Sequence, residues 1–528
     1  MSIDNIDFLQ SYARVFCGDS KRSWHGTTIQ AVQPKLATEA DTHVQYTSTL
    51  QTQTPIQSVS ECSQNTHTTD INEIRQPVCS HSGLHRRKRS EATPYTSPHG
   101  KSLFPKTQRR ARSIMESLRS TDTQEAHEPD HVQEAPTPSF FRQPTTHLSV
   151  TDFNVSPIEK HNLDTLRLEL YIYLWLKLSY LDKHDTAFVG YQEYFSLSKP
   201  KSGKKSNIVY FDVLDAIADN KETVLHVLYK LKQQFIEGHG QQWLVVAGDA
   251  KLYDVLQTIK CEYGEEFHWL ICYPGDWHML ANYQKALLKP YFDVGLRELA
   301  KTIGYPTAAL QACSQFKRTH CFITEVWEAI FQVMLQIYLN SASTYPVAES
   351  LKQKLFDNHS PQEIETTIAS LQMCLSPDHN NFIEFLKNKS QTSNNWKFWS
   401  QFVLQDGLAY VGMYLAIRGG NWNLRLACMK LMVPLFCAYD HMTYKRLISR
   451  QICDVLNLPT TILQSLSEGG FVASITGAQW HSVAIDEAHE MLINKSCKMS
   501  VVHPTEDYIH RISNYMPYRS KCLEKARN

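Results

Sequence analysis

A chain of 528 residues with 42% hydrophobic and 11% aromatic content is long enough for one large core or two domains. Its 53 basic residues balance 53 acidic ones, so any affinity for nucleic acid has to come from local clusters and not from a bulk field. The 13 cysteines form no Cys-x-x-Cys pair, which argues against a zinc ribbon or a thioredoxin motif and suits reduced thiols in cytosol or nucleus.

At the N-terminus, Met1-Ser2-Ile3-Asp4-Asn5 has no basic segment leading into an apolar one, so no secretory signal is expected. Up to residue 144 the chain is dominated by Ser, Thr, Gln, His and Pro with no sustained period. Such a composition buries too little surface to offset the entropy of ordering, so residues 20 to 144 read as disordered, with at most a short helix at Ile6 to Val15. Two basic runs lie within it, Arg86-Arg87-Lys88-Arg89 and Arg109-Arg110-Ala111-Arg112. These suit nuclear import or contact with phosphate, with solvated charge in a flexible tail as the ordinary alternative. The most apolar long window, Leu163 to Leu181, contains Asp164, Arg167, Glu169 and Lys177, charges that make a buried helix a better reading than a bilayer span.

From Asn207 the punctuation is regular. Ile208 to Leu214 is a β-rich apolar run, and Asp219 to Glu222 opens a helix with Val224, Leu225, Leu228, Leu231 and Phe235 at helical spacing. Trp243 to Ala247 reads as a short buried strand ended by Gly248-Asp249, followed by a helix from Lys251 to Lys260. His268 to Tyr273 reads as a third strand, leading through Pro274-Gly275 into a helix that starts near Asp276. Beyond Pro290 the pattern is helical, with breaks at Gly304, Pro346, Pro361, Gly419-Gly420 and Pro459, until an extended stretch at Gly470 to Thr476 and a last helix over Ser482 to Lys498.

Chemistry points to the acids at strand and helix ends. An acid directly after a buried strand projects from the carboxyl edge of the sheet, so Asp249 is placed either to hold a divalent cation or to cap the next helix. Asp276 poses the same choice. His278, in the first turn beside Trp277, can bind metal, orient a carboxylate or contact phosphate, or sit as a satisfied histidine. Asp486 and Glu490, or Glu487 and Glu490, share a helix face, which by itself is a solvated acidic surface.

The stretch from Val213-Leu214-Asp215-Ala216-Ile217-Ala218-Asp219-Asn220-Lys221-Glu222-Thr223, through Val246-Ala247-Gly248-Asp249, to Pro274-Gly275-Asp276-Trp277-His278-Met279-Leu280 resembles the central part of RNase H-like transposases of the Mutator-like and hAT type. It is more similar still to a family of transposon-derived domains of unknown function, a likeness that extends over Trp327-Glu328-Ala329, Asn421-Trp422-Asn423-Leu424-Arg425 and Asp486 to Lys495. The resemblance implies an α/β fold with an RNase H-like core sheet over residues 145–290, a large all-helical insertion over 291–470, and a C-terminal helix over 471–528 that completes the core behind the disordered N-terminal region. It implies Asp249 as the second catalytic acid, His278 as the motif histidine, Glu490 or Glu487 as the third acid and Asp152, on an expected first strand at His147 to Asn154, as the first. A rival set starts from Asp212 or Asp215 with Asp276 as the second acid. Three such carboxylates would hold Mg²⁺ or Mn²⁺ for cleavage or transfer of DNA strands in the nucleus, with DNA as partner, no membrane, and room for a homo-oligomer. The family pattern has Cys or Asp three residues before the histidine, where this chain has Gly275. That departure leaves open a catalytically inactive nuclear DNA- or protein-binding domain, or a scaffold in which Trp396, Trp399 and Trp422 fill a core.

Overall fold

The computed structural model describes the strands at 2–9 and 23–33 and residues 148–181, 188–190, 194–196, 205–214, 220–238, 240–341, 346–356, 361–439, 442–478 and 480–494. All belong to one unit of the chain, Met1–Glu39 together with Pro129–Asn528. The basic runs at Arg86 to Arg89 and Arg109 to Arg112, and the rest of the segment read as disordered beyond residue 33, lie outside the described residues.

Five strands form the main sheet: β1 (Ser2–Leu9), β2 (Ser23–Gln33), β3 (Asn207–Leu214), β4 (Leu244–Gly248) and β5 (Leu270–Pro274), in the spatial order β3-β2-β1-β4-β5. β1 and β2 pair antiparallel from Ser2↔Gln30 to Leu9↔Ser23, and β2 pairs antiparallel with β3 across a bulge at Ile29/Gln30. β1 runs parallel to β4, with Ser2 opposite Ala247, and β4 runs parallel to β5. Four strands therefore point one way and β2 the other. This overturns the sequence expectation at the N-terminus: Ile6 starts no helix, and both N-terminal segments are strands. Their pairing partners lie far away in the chain, and strand formation depends on such partners more than on local propensity.

The connections behave as the punctuation predicts. Asn220 caps α2 (Lys221–Leu231), and Asp249 caps α3 (Ala250–Glu262), which carries the chain from β4 to β5. β5 leads into α4 (Asp276–Tyr291). Upstream, α1 (Pro157–Leu181) has Leu170 to Leu176 buried on every side, which is why its sequence is apolar without a clear stripe. Pro157 stands at its first position, where the missing N–H costs nothing, so it starts earlier than Leu163. The segment ahead of it is not a strand. Val150–Phe153 is a single 3₁₀ turn, and Asp152 serves in its capping box with Ser149, accepting Ser149 N–H at 2.7 Å.

After α4 the chain is helical through α5 (Arg297–Thr302), α6 (Thr307–Gln311), α7 (Phe316–Leu339), α8 (Pro346–Phe356), α9 (Pro361–Thr392), α10 (Asn394–Gln401), α11 (Gly407–Gly419), α12 (Trp422–Ala438), α13 (Met442–Leu456) and α14 (Thr460–Ser465). α9 continues through Pro377 without a break. Gly420, with φ of 67°, supplies the left-handed residue that ends α11. α7 has the length and apolar content of a membrane span, but Phe322, Ile323, Trp327 and Leu335 are buried in the core, so no membrane is suggested. A small antiparallel pair, β6 (Val472–Ser474) and β7 (Ser482–Ala484), precedes α15 (Ile485–His489) and a final turn at Glu490–Asn494. The last helix thus begins three residues later than its sequence suggests, because Ser482 to Ala484 pair with β6.

A candidate site at the carboxyl edge of the sheet

Gly248 ends β4 against the side chain of Leu252, where a methyl group would overlap it, so the sharp turn into α3 requires glycine. The following Asp249 accepts the Leu252 N–H at 2.8 Å through Oδ1. Its Oδ2 accepts no hydrogen bond from a described residue, and the side chain is half-buried. One strand over, Gly275 N–H donates to the Gly248 carbonyl at 2.6 Å, which holds the ends of β4 and β5 together.

α4 starts from Gly275, a residue with no side chain to cap its free amides. The acceptor comes from α15. Asp486 takes Trp277 N–H on Oδ1 at 3.2 Å and His278 N–H on Oδ2 at 3.0 Å, while His278 Nδ1 lies 3.0 Å from the same Oδ2. A Cβ at position 275 would collide with Asp486 Oδ2, so glycine makes room for this approach. Burial alone would raise the Asp486 carboxyl, but the bonds from the His278 side chain and the two backbone amides hold it below the usual carboxylate range.

Asp276 turns the other way. It accepts Tyr273 O–H at 2.7 Å and Arg425 Nη2 at 2.7 Å, and Arg425 is itself fully buried, with its guanidinium 5.0 Å from the ring centres of both Tyr273 and Trp422. Burial lifts the Asp276 carboxyl, against the pull of the Arg425 charge. The aspartate of the Gly-Asp-Trp-His element is thereby a core residue, and its histidine belongs to the edge.

Tyr444 on α13 closes the side of the site. Asn282 Nδ2 donates both to the Tyr444 hydroxyl, at 2.8 Å, and to the His278 carbonyl, at 2.9 Å. Burial, and then the charges of Asp249 and Asp486, push the phenol above its ordinary value. Both acids therefore act on this one hydroxyl.

α15 packs against α4, β1 and β4. Glu487 is raised by burial, an effect opposed by Arg418 and reinforced by Asp486. Glu490 lies one turn on and accepts Asn494 Nδ2 at 2.9 Å. Asp152 is elsewhere: its charge acts on Cys453 of α13. At the other strand of the central pair, Ser2 lies opposite Ala247, and counting two residues along both parallel strands brings Asp4 level with Asp249. Among the described residues no three His, Cys, Asp or Glu side chains converge as metal ligands. Asp249 and Asp486 stand at the same edge, toward which the backbone of β1 runs past Ser2.

The strand at Ser2 to Leu9 escapes a local reading because it lacks a clean alternation, and Asp486 stands behind Glu487 and Glu490 when only the helix face is considered. A signal for Asp486 was present: a helix starting Gly-Asp-Trp-His has no local cap on Gly275 and needs an acceptor from outside.

Residues 188–505, more than half of the chain, match the family model described as "Domain of unknown function (DUF8702)". The chain belongs to the DUF8702 family. The matched span contains Asp249, His278 and Asp486 and begins after β1 and β2. No curated protein and no solved structure matches the chain.

Proposed function

We propose that this DUF8702 protein is transposase-like, with its five-stranded sheet as an RNase H-like core acting in metal-dependent cleavage or transfer of DNA strands in the nucleus. What supports the reading is the parallel pairing of β1 with β4 at Ser2↔Ala247, from which the backbone of Asp4 runs toward the end of β4 where Asp249 stands, while α15, bearing Asp486, packs over the same two strands. A first acid on the first strand, a second at the end of the strand beside it and a third from a late helix is the convergence that the resemblance calls for.

The donor set suits a hard divalent cation, since it consists of carboxylate oxygens, one of them the uncommitted Oδ2 of Asp249. Asp249 and Asp4, with Asp486 or Glu490, would hold Mg²⁺ or Mn²⁺, which when bound supplies activation of a water or hydroxyl and neutralises a leaving phosphate oxygen. The protein's own groups do the rest. Asp486 orients the His278 ring, and Tyr444, which keeps its proton at neutral pH, donates to the His278 carbonyl at 3.3 Å and so helps to fix the start of α4.

A second reading is a catalytically inactive DNA- or protein-binding domain derived from such an enzyme. It draws on Asp486, whose two oxygens already accept three hydrogen bonds from α4. Titration of the full chain with Mn²⁺, together with a nicking assay on supercoiled DNA, separates the two. Saturable binding that is lost in both Asp4→Asn and Asp249→Asn, with loss of nicking, is the expected result; binding unchanged in both variants would leave only the inactive domain.

A further inference from the structure

Away from the sheet, a cavity of about 580 Å³ opens where the first turns of α1 face the middle of α9 and the turn at Phe402–Asp406. Its volume falls within the ~300–1000 Å³ of small-ligand sites. α9 presents Ser376, Asn380 and Lys387 to it at helical spacing, and α1 presents Lys160, Asp164 and Arg167.

The walls are rich in donors. Asp164 accepts Lys160 Nζ and Arg167 Nη1, each at 2.9 Å, and the Leu404 carbonyl accepts Arg167 Nη2 at 3.1 Å. The guanidinium is thus clamped from two sides. Its Nε is shut off from water and has no acceptor among the described residues, a state that buried polar atoms rarely keep. His379, another lining residue, is only 8% exposed, and neither ring nitrogen hydrogen-bonds a described residue. Burial, with the Arg167 charge beside it, pushes that imidazole down to about 4, so it is neutral at physiological pH. Lys387 has Glu384 at 3.5 Å, a loose pair with both side chains well exposed and of little energetic consequence.

Three permanent cations, Lys160, Arg167 and Lys387, face one lining carboxylate, Asp164, leaving a local charge of two positive units. That matches a phosphate dianion better than the single charge of a phosphodiester. We propose that this cavity binds the phosphate group of a phosphomonoester or free inorganic phosphate, with the clamped guanidinium of Arg167 at its base and Lys160 and Lys387 at its mouth. The argument is independent of the reading of the sheet edge.

The test is titration of the full chain with inorganic phosphate against chloride at matched ionic strength, followed by calorimetry and by the His379 ring resonances. Saturable one-to-one binding is expected, with His379 shifting and its pKa rising as the anion arrives. The exposed pair Lys160→Ala/Lys387→Ala should weaken binding at least tenfold with an unchanged unfolding midpoint. Arg167→Lys, which keeps the charge but not the fork, should weaken it as well. A nucleoside 5′-monophosphate should displace inorganic phosphate, and a duplex oligonucleotide without terminal phosphates should not. Absence of saturable binding, affinity unchanged in the double lysine variant, or displacement by that duplex would each overturn the proposal.

Discussion

Buried carboxylates occur in both the helical region and the sheet edge, and their surroundings give them opposite character. In the helices, Asp378 accepts the hydroxyls of Tyr171 and Tyr338, and Asp406 accepts Tyr291 O–H at 2.6 Å and Gln401 Nε2 at 3.3 Å. These are neutral donors, and at Asp406 burial outweighs them and lifts the carboxyl. At the sheet edge Asp486 is as deeply buried, yet its donors are the amides that open α4 and the ring of His278, and its carboxyl is lowered. Aligned peptide dipoles at a helix start favour negative charge in a way that phenols do not. Between Asp406 and Asp486, the donors set the direction in which the buried carboxyl moves; at Asp276 burial outweighs even the Arg425 charge.

The comparison breaks most severely at Arg425. Arg425→Met leaves Asp276 buried beneath α4 without its counter-charge, and a loss of about 3–5 kcal/mol in chemical denaturation is expected. Adding Asp276→Asn should recover much of that loss. A single variant as stable as the parent would mean that Asp276 is already neutral. Gly275→Ala comes next. Its φ of −66° suits any residue, so the cost is one of space against Asp486 Oδ2 and the Gly248 carbonyl, about 1–3 kcal/mol, read from the denaturation midpoint.

A smaller effect sharpens the contrast through its sign. Asp486, with its folded pKa depressed, contributes stability that is present above the unfolded carboxyl value and lost as pH falls through the folded one. The cost of Asp486→Asn should therefore grow as pH rises from about 2 to about 5, across the ordinary Asp value of ~3.9. Asp406, with its folded pKa raised, destabilises the native state as pH rises above the unfolded value. The cost of Asp406→Asn should shrink over the same rise. Unfolding midpoints at a series of pH values decide this, and parallel slopes for the two variants would erase the distinction between the regions.

How much of this was legible follows from the range of the interactions. The order from β3 to α4 could be read because each boundary is marked by its own residues: Asn220 capping α2, Gly248 and Asp249 turning β4 into α3, Pro274 and Gly275 before α4. The long helical stretch was legible for the same reason, through Pro346, Pro361, Pro459 and Gly420. β1 and β2 were not, since they are strands only by virtue of pairing with β3 and β4. With them went Asp4 as a candidate, while Asp152, expected on a strand, lies on a 3₁₀ turn. Asp486 bonds an amide 209 residues upstream, and Arg425 reaches Asp276 across 149 residues, separations that no local pattern records. In each case half of the information is local and half is in the partner.

The gentlest substitution tests the edge most selectively. Asn and Asp are about equally good as helix N-caps, so Asp249→Asn keeps the Leu252 N–H bond that starts α3 and should change stability by only a few tenths of a kcal/mol. Asp249→Ala, which removes the cap, should cost about 1 kcal/mol. If Asp249 is only a cap, the Asn variant is silent in every assay and the Ala variant is mildly unstable. If its Oδ2 is a ligand, the Asn variant loses a negative charge at the sheet edge, and divalent-cation binding falls although the fold is unaltered. Thermal unfolding with and without Mn²⁺ separates these outcomes, because a cation that binds only the native state raises the midpoint of the parent and should not raise that of Asp249→Asn. An equal rise in both would reduce Asp249 to the cap that its position after β4 already requires.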